Sequence, residues 1–198
     1  MAKRIGTKVI TGPKTRFSFV HLFEPYAQKK GEEAKYSVML LIPKDDLSTL
    51  ACIEEAIKEA YEQGRDTLAN KNSPAPAFGS PVLKMPMHDG DEEQPGEEVY
   101  AGMMYVNARS KPKEGMPHPG ICDAAKNDIE DPMEFYSGCY GRASICFYAF
   151  NGSGNRGIAC AINNVQKLKD GPHLGGGRRT AQQDFADDEF DEDDLNDI

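Results

Sequence analysis

The chain has 198 residues, 39% of them hydrophobic, with 23 Lys and Arg against 32 Asp and Glu and a formal net charge of −9 at pH 7. That is one globular domain's worth of chain, too rich in core-forming residues to be disordered throughout. No apolar run approaches the ~18 residues of a membrane-spanning helix, and the opening MAKRIGTKVITG has no apolar h-region, so no secretory signal is expected.

The N-terminal third reads as strands. In TRFSFVHLF, alternation sets Phe17, Phe19, His21 and Phe23 on one face and Arg16, Ser18, Val20 and Leu22 on the other, with Pro25 as the stop. After the polar turn KKGEE, AKYSVMLLIP is apolar on both faces, as a central strand would be. An acidic cap at Asp45 or Asp46 then starts a helix over about residues 46–69, with Leu47, Leu50, Ala51, Ile57, Tyr61 and Leu68 as its core stripe.

Residues 70–98 are turn-rich, with a short extended PVLKMPM. EVYAGMMYVNARS follows as a strand, placing Tyr105, Asn107 and Arg109 on one face and Tyr100, Met104, Val106 and Ala108 on the other. Its exit adds Lys111 and Lys113. GCYGRASICFYAF alternates more strictly. Tyr140, Arg142, Ser144, Cys146 and Tyr148 share one face; the small and apolar Cys139, Gly141, Ala143, Ile145 and Phe147 share the other. NGSGN joins it to RGIACAINNVQKL as a hairpin. Gly152 to Gly157 satisfies G-x-G-x-x-G, but a strand follows where a dinucleotide site needs a helix, so a turn is expected there. Many short strands with one helix amount to a small, mainly β barrel.

Charge is distributed unevenly. Nine acids fall between Asp184 and Asp197 with no base among them, which leaves 23 acids and 23 bases in residues 1–180. The acidity therefore belongs to the C-terminus, and a nucleic-acid partner is not excluded by net charge. Aromatic rings interleaved with bases on a strand suit unpaired nucleic acid, because rings stack on bases while cations follow phosphates. On this basis Tyr105, Asn107, Arg109, Tyr140, Arg142 and Tyr148 are candidates for the strand itself. Lys14, Arg16, Lys111, Lys113 and Arg156 are candidates for phosphates. Along the acidic C-terminus, Phe185, Phe190, Leu195 and Ile198 are spaced as anchors for partner proteins, and the same ribbon can imitate a polyphosphate strand.

No catalytic arrangement is legible, and no cofactor or metal-ligand motif. His118 and Cys122 have poor spacing for zinc. Asp89, Asp91 and Glu92 offer carboxylates to a divalent metal, which leaves a metal-dependent nuclease as a minor reading. The five cysteines (Cys52, Cys122, Cys139, Cys146, Cys160) are odd in number and form no C-x-x-C pair, which fits free thiols in a reducing cytoplasm.

GCYGRASICFYAFNGSGNRGIACAINNVQKLKDG, the preceding GDEEQPGEEVYAGMMYVNARSK and the acidic C-terminus resemble a family of bacteriophage single-stranded DNA-binding proteins, along most of residues 5–175. The resemblance implies an OB-fold, a five-stranded barrel with one inserted helix and extra hairpins, binding single strands across one face in the host cytoplasm. It supports Tyr140, Arg142 and Tyr148 as groove residues. Composition divides the chain accordingly: a binding domain over 1–172, then, from the glycine-rich DGPHLGGGRRT and the acidic run, a flexible linker and disordered acidic tail over 173–198. The tail would meet phage replication or recombination proteins, because it ends Leu-Asn-Asp-Ile where bacterial single-strand binders end in Pro-Phe. A homodimer is compatible with it, and a phage protein-interaction adaptor is the competing function.

Overall fold

The computed structural model describes residues 1–27, 29, 31–70, 73–112, 118–152 and 154–174. Strands β1 (Lys3–Ile5) and β2 (Lys8–Ile10) form an antiparallel hairpin. Then come β3 (Thr15–Tyr26), β4 (Lys35–Pro43), helices α1 (Leu47–Gln63) and α2 (Arg65–Leu68), β5 (Leu83–Lys84), β6 (Met87–Asp89) and the single turn α3 (Gly90–Glu93). Strands β7 (Met103–Ser110), β8 (Gly120–Cys122), β9 (Tyr140–Gly152) and β10 (Asn155–Lys169) complete the order.

Five strands close a ring: β3 pairs with β4, β4 with β7, β7 with β10, β10 with β9, and β9 with β3. A closed five-stranded Greek-key barrel of this kind is an OB-fold. Four of the ring contacts are antiparallel. The fifth, between β7 and β10, is parallel and rests on one pair, Ala108 opposite Cys160. That seam is flanked by short strands, with β5 on β10, β6 on β7 and β8 on β10.

The barrel closes because each ring strand turns an apolar face inward. Phe17, Val38, Leu40, Ile42, Val106, Ala143, Ile145, Phe147, Ile158 and Ile162 are all buried. Each large one contributes ~1.5–3 kcal/mol of burial. The expected alternation of the strand beginning at Tyr140 holds, with Gly141, Ala143, Ile145 and Phe147 inside. The expected hairpin at Asn151–Asn155 is present, with Gly152 opposite Asn155.

Four expectations need correction. Pro25 does not stop β3, which runs through it to Tyr26, paired with Lys35. The alternation of β3 breaks after Ser18, because Phe19 and Val20 together face the single residue Val38. Phe17 is therefore buried, Phe19 exposed and Leu22 buried again. The helix expected over 46–69 comes in two pieces, parted at Gly64, where an added Cβ would overlap that of Ala149. Its buried face is Thr49, Ile53, Ala56, Ile57, Ala60 and Tyr61, and Leu47 lies outside that face, exposed. Finally, Tyr100 precedes β7 rather than sharing its inner face: Gly102, at φ +67°, turns the chain first. No helix among the described residues is long and apolar enough to cross a membrane.

Candidate nucleic-acid interface

The outward residues of β3, β4 and β7 lie in cross-strand rows: Arg16, Leu41 and Tyr105; Ser18, Met39 and Asn107; His21, Ser37 and Arg109. Over the second and third of these rows, with Tyr105 of the first beside them, runs a cleft of about 890 Å³, floored by Ser37, Met39 and Asn107. Phe19, His21 and Tyr26 flank it from β3, and Tyr100 flanks it from the loop before β7. The cations along it are Lys35 and Arg109, and the β3–β4 loop places Glu32 and Glu33 at its end.

Two ring systems give the cleft its walls. His21 stacks on Tyr26 with centroids 4.5 Å apart and planes 13° apart. On the far side Tyr105 lies between His88, stacked at 5.0 Å, and Tyr100, edge-on at 5.4 Å. The Tyr105 hydroxyl donates to Glu93 Oε2 at 3.0 Å. Burial first, and Glu93 second, push the Tyr105 pKa up. At 6% exposure, Tyr105 is wall more than platform. The open rings are Phe19 at 58% exposure and Tyr26 at 51%.

Tyr100 owes its position to an ion cluster behind it. Lys44 Nζ donates to Asp89 Oδ1 at 2.6 Å and to Asp91 Oδ2 at 2.7 Å. The Lys44 backbone N–H donates to the Gly102 carbonyl, and the Gly102 N–H to Asp91 Oδ1, both at 2.9 Å. The hydrogen bonds from Lys44 hold both carboxyls below their ordinary range, and those to Asp89 and then Asp91 raise the Lys44 pKa. The sign follows: lowered carboxyl pKa values stabilise the loop above ~pH 4, and that stability is lost as pH falls through the depressed values. Hydrogen exchange by mass spectrometry checks this. Protection in residues 89–102 should fall ahead of the barrel strands below ~pH 3.5, and Lys44→Met should reproduce that loss at pH 7.

Lys111 and Tyr148 stand near one end of this face. Lys111 Nζ pairs with Glu33 Oε2 at 2.7 Å, which pushes the Glu33 pKa down and the Lys111 pKa up. Tyr148, 47% exposed on the outer side of β9, contributes a smaller upward push on Lys111.

The remaining sequence candidates lie elsewhere. Lys14 pairs with Asp45 at 3.0 Å near the start of α1. Arg16 donates to the carbonyls of Gly138, at 3.2 Å, and Pro172, at 2.7 Å, with its guanidinium 5.2 Å from the Tyr140 ring centroid. Arg142 donates to the Thr11 carbonyl at 3.2 Å, and Arg156 to that of Leu68 at 3.1 Å. These three arginines join segments distant in sequence. Lys113, Phe185, Phe190, Leu195 and Ile198 lie outside the described residues. Of the predicted set, the cleft gathers Tyr105, Asn107 and Arg109. It adds Phe19, His21, Tyr26, Lys35 and Tyr100, none of them among the residues expected at the site. Tyr26 does carry a signal in the sequence, as an aromatic directly after Pro25.

The carboxylates considered for a metal are differently engaged. Asp89 and Asp91 share Lys44, and Asp89 also caps α3 through the Asp91 N–H at 2.9 Å. Among the described residues, no group of three or more His, Cys, Asp or Glu is placed to hold a metal ion.

Comparison with known proteins agrees with this architecture. The family described as Enterobacter phage Enc34, ssDNA-binding protein, matches residues 7–195. Putative protein p50 of Acyrthosiphon pisum secondary endosymbiont phage 1 is 29% identical over 178 residues, covering 87% of this chain and 89% of that protein. Among solved structures, the single-stranded DNA-binding protein from bacteriophage Enc34 in complex with ssDNA is 27% identical, with a TM-score of 0.65 over 85% of this chain and 90% of that one. Gp2.5, a single-stranded DNA-binding protein encoded by bacteriophage T7, shares the fold at 14% identity, with a TM-score of 0.60 over 87% of this chain and 97% of that one. A match over nearly the whole sequence, on a chain whose structure superposes on that of the solved relative, places it in the Enc34 ssDNA-binding protein family of bacteriophages.

Proposed function

We propose that this protein binds single-stranded DNA without sequence preference along the β3–β4–β7 cleft, and coats exposed strands during phage DNA replication, recombination or repair. The observation that carries the reading is the coincidence, on one open face of an OB barrel, of exposed rings with cations. Tyr26 supplies a stacking surface; Lys35, Arg109 and Lys111 supply positive charge for phosphates. Asn107, between them on the floor, offers an amide to a base edge or sugar. The activity is binding, not catalysis. A solved relative at 27% identity carrying ssDNA supports the choice of ligand.

The binding domain spans residues 1–172, and 173–198 act as linker and acidic tail. The nine tail carboxylates compete with DNA for the cations, and Phe185, Phe190, Leu195 and Ile198 anchor phage replication or recombination proteins. Tethering raises the tail's local concentration to about millimolar, so weak binding is discouraged while strong binding survives.

Fluorescence anisotropy with a labelled oligo-dT and a duplex of equal length tests both statements. Full-length protein should prefer the single strand; equal affinity for the duplex overturns the reading. A chain ending at Leu174 should bind oligo-dT about three- to tenfold more tightly at ~50 mM salt, with the gap closing by ~300 mM. Unchanged affinity at both salts removes the tail from the competition.

A further inference from the structure

Among the described residues, Phe19 and Lys126 are the non-glycine positions with a positive φ, and Phe19 is the aromatic one. Its φ is +48°, in the left-handed region that a bulky side chain rarely enters. The cause is the bulge in β3, where Phe19 and Val20 stand against Val38 alone between the pairs Ser18–Met39 and His21–Ser37. Bulges of this two-against-one kind re-aim side chains and concentrate beside functional sites.

The distortion has a definite product. Phe17 points into the barrel and is fully buried. By unbroken alternation Phe19 would follow it inward. The bulge instead turns the Phe19 ring out, 58% exposed, onto the flank of the cleft, and Leu22 resumes the interior pattern beyond it. Folding alone favours the reverse, an unstrained backbone with the ring in the core. An exposed aromatic held by a strained backbone has its reason in what it meets from solvent. The stacked His21–Tyr26 pair lies on the same strand and lines the same cleft, so the β3 flank offers a second ring system close by.

We infer that Phe19 is a base-stacking residue, aimed by the bulge before any ligand arrives, and that its ligand is an unpaired nucleobase of the strand in the cleft. The inference rests on the proposed function. It adds that β3, not β7, carries the main stacking contact. Pre-aiming matters because a ring already in place loses no conformational freedom on binding.

The test uses the full-length protein and three variants, Phe19→Gly, Phe19→Leu and Phe19→Trp, titrated with labelled oligo-dT. Phe19→Gly should bind about ten- to a hundredfold more weakly, the scale of one lost stack, with the salt dependence unchanged because no charge is removed. Its melting temperature should hold or rise by ~2 °C, since glycine adopts φ +48° freely. Phe19→Leu should share the affinity loss, because it keeps an apolar side chain but no ring. The chain contains no tryptophan, so Phe19→Trp creates a single fluorophore. It should bind like the parent and be quenched on saturation.

Undiminished affinity in the glycine and leucine variants overturns the inference, as does an unquenched tryptophan. A melting temperature that falls along with affinity assigns Phe19 a structural role and also overturns it. The cleft reading is checked separately by Lys35→Ala/Arg109→Ala. If that double variant loses affinity while the Phe19 variants do not, the inference alone fails. If none of them loses affinity, the cleft reading fails with it.

Discussion

Replacing Lys35 and Arg109 together by alanine is expected to weaken oligo-dT binding about ten- to a hundredfold near physiological salt, and to flatten its salt dependence. Each phosphate neutralised on a single strand releases counterions, so the slope of log affinity against log salt is about −0.7 per contact. Removing two contacts should therefore make the slope shallower by roughly 1.4, a signature that loss of a stacking ring does not produce. Both side chains are suited to the task. Lys35 begins β4 opposite Tyr26, and Arg109 ends the row His21–Ser37–Arg109, so the pair brackets the stacked His21–Tyr26 rings of β3. Neither belongs to the buried core, and the double variant should melt within a few degrees of the parent. Titrations at four salt concentrations measure slope and intercept together. An unchanged slope would mean that the strand runs elsewhere on the barrel.

The largest effect on the fold is expected at Gly141. It lies in β9 opposite Lys167 of β10 on one side and Thr15 of β3 on the other, where three strands of the ring crowd together. A Cβ added there would overlap the backbone carbonyl oxygen of Gln166 and stand 2.9 Å from the Phe17 ring. A carbonyl in a strand ladder cannot rotate away as a surface side chain can, so the β9–β10 pairing must open to admit even a methyl group. Gly141→Ala should cost ~4 kcal/mol or more, a large fraction of the ~5–15 kcal/mol that holds a typical domain together. Gly152→Ala is the control, at a position where an added Cβ meets nothing within 4 Å. It should stay within about 0.5 kcal/mol of the parent in urea denaturation. Equal midpoints for the two variants would show that the ring yields at this corner.

What was legible in the sequence follows from how local each feature is. The outward face of β7 and both faces of β9 could be read directly, because unbroken strands repeat with a period of two and Val106, Ala108, Ile145 and Phe147 have no second place to go. The inward turn of Phe17 was equally readable, but nothing in RFSFVH announces that the next phenylalanine breaks step. The bulge is imposed by pairing with Val38, a residue from another strand. The arginines show a different limit. A guanidinium alternating with aromatics looks the same whether it awaits a phosphate or holds a carbonyl. Only the fold brings Gly138, Thr11 and Leu68 within reach of Arg16, Arg142 and Arg156. Tyr100 was placed on the wrong side because Gly102 was read as part of a strand when it is the turn before one.

Chain order leaves the single-pair seam between β7 and β10 open until late in synthesis. All three strands of the proposed binding face are made once the ribosome passes Ser110, but the strand that closes the ring begins only at Asn155. At roughly 5–20 residues per second, the stretch between them takes several seconds to produce. Throughout that interval the nascent chain can pair β3, β4 and β7, yet Val38, Leu40, Ile42, Val106 and Ala108 have no opposite wall to pack against. An open three-stranded sheet with an uncovered apolar face and unpaired edges favours aggregation. Placing a fast-folding fusion partner ahead of Met1 leaves that interval unchanged, because its length is set by residues 111–154.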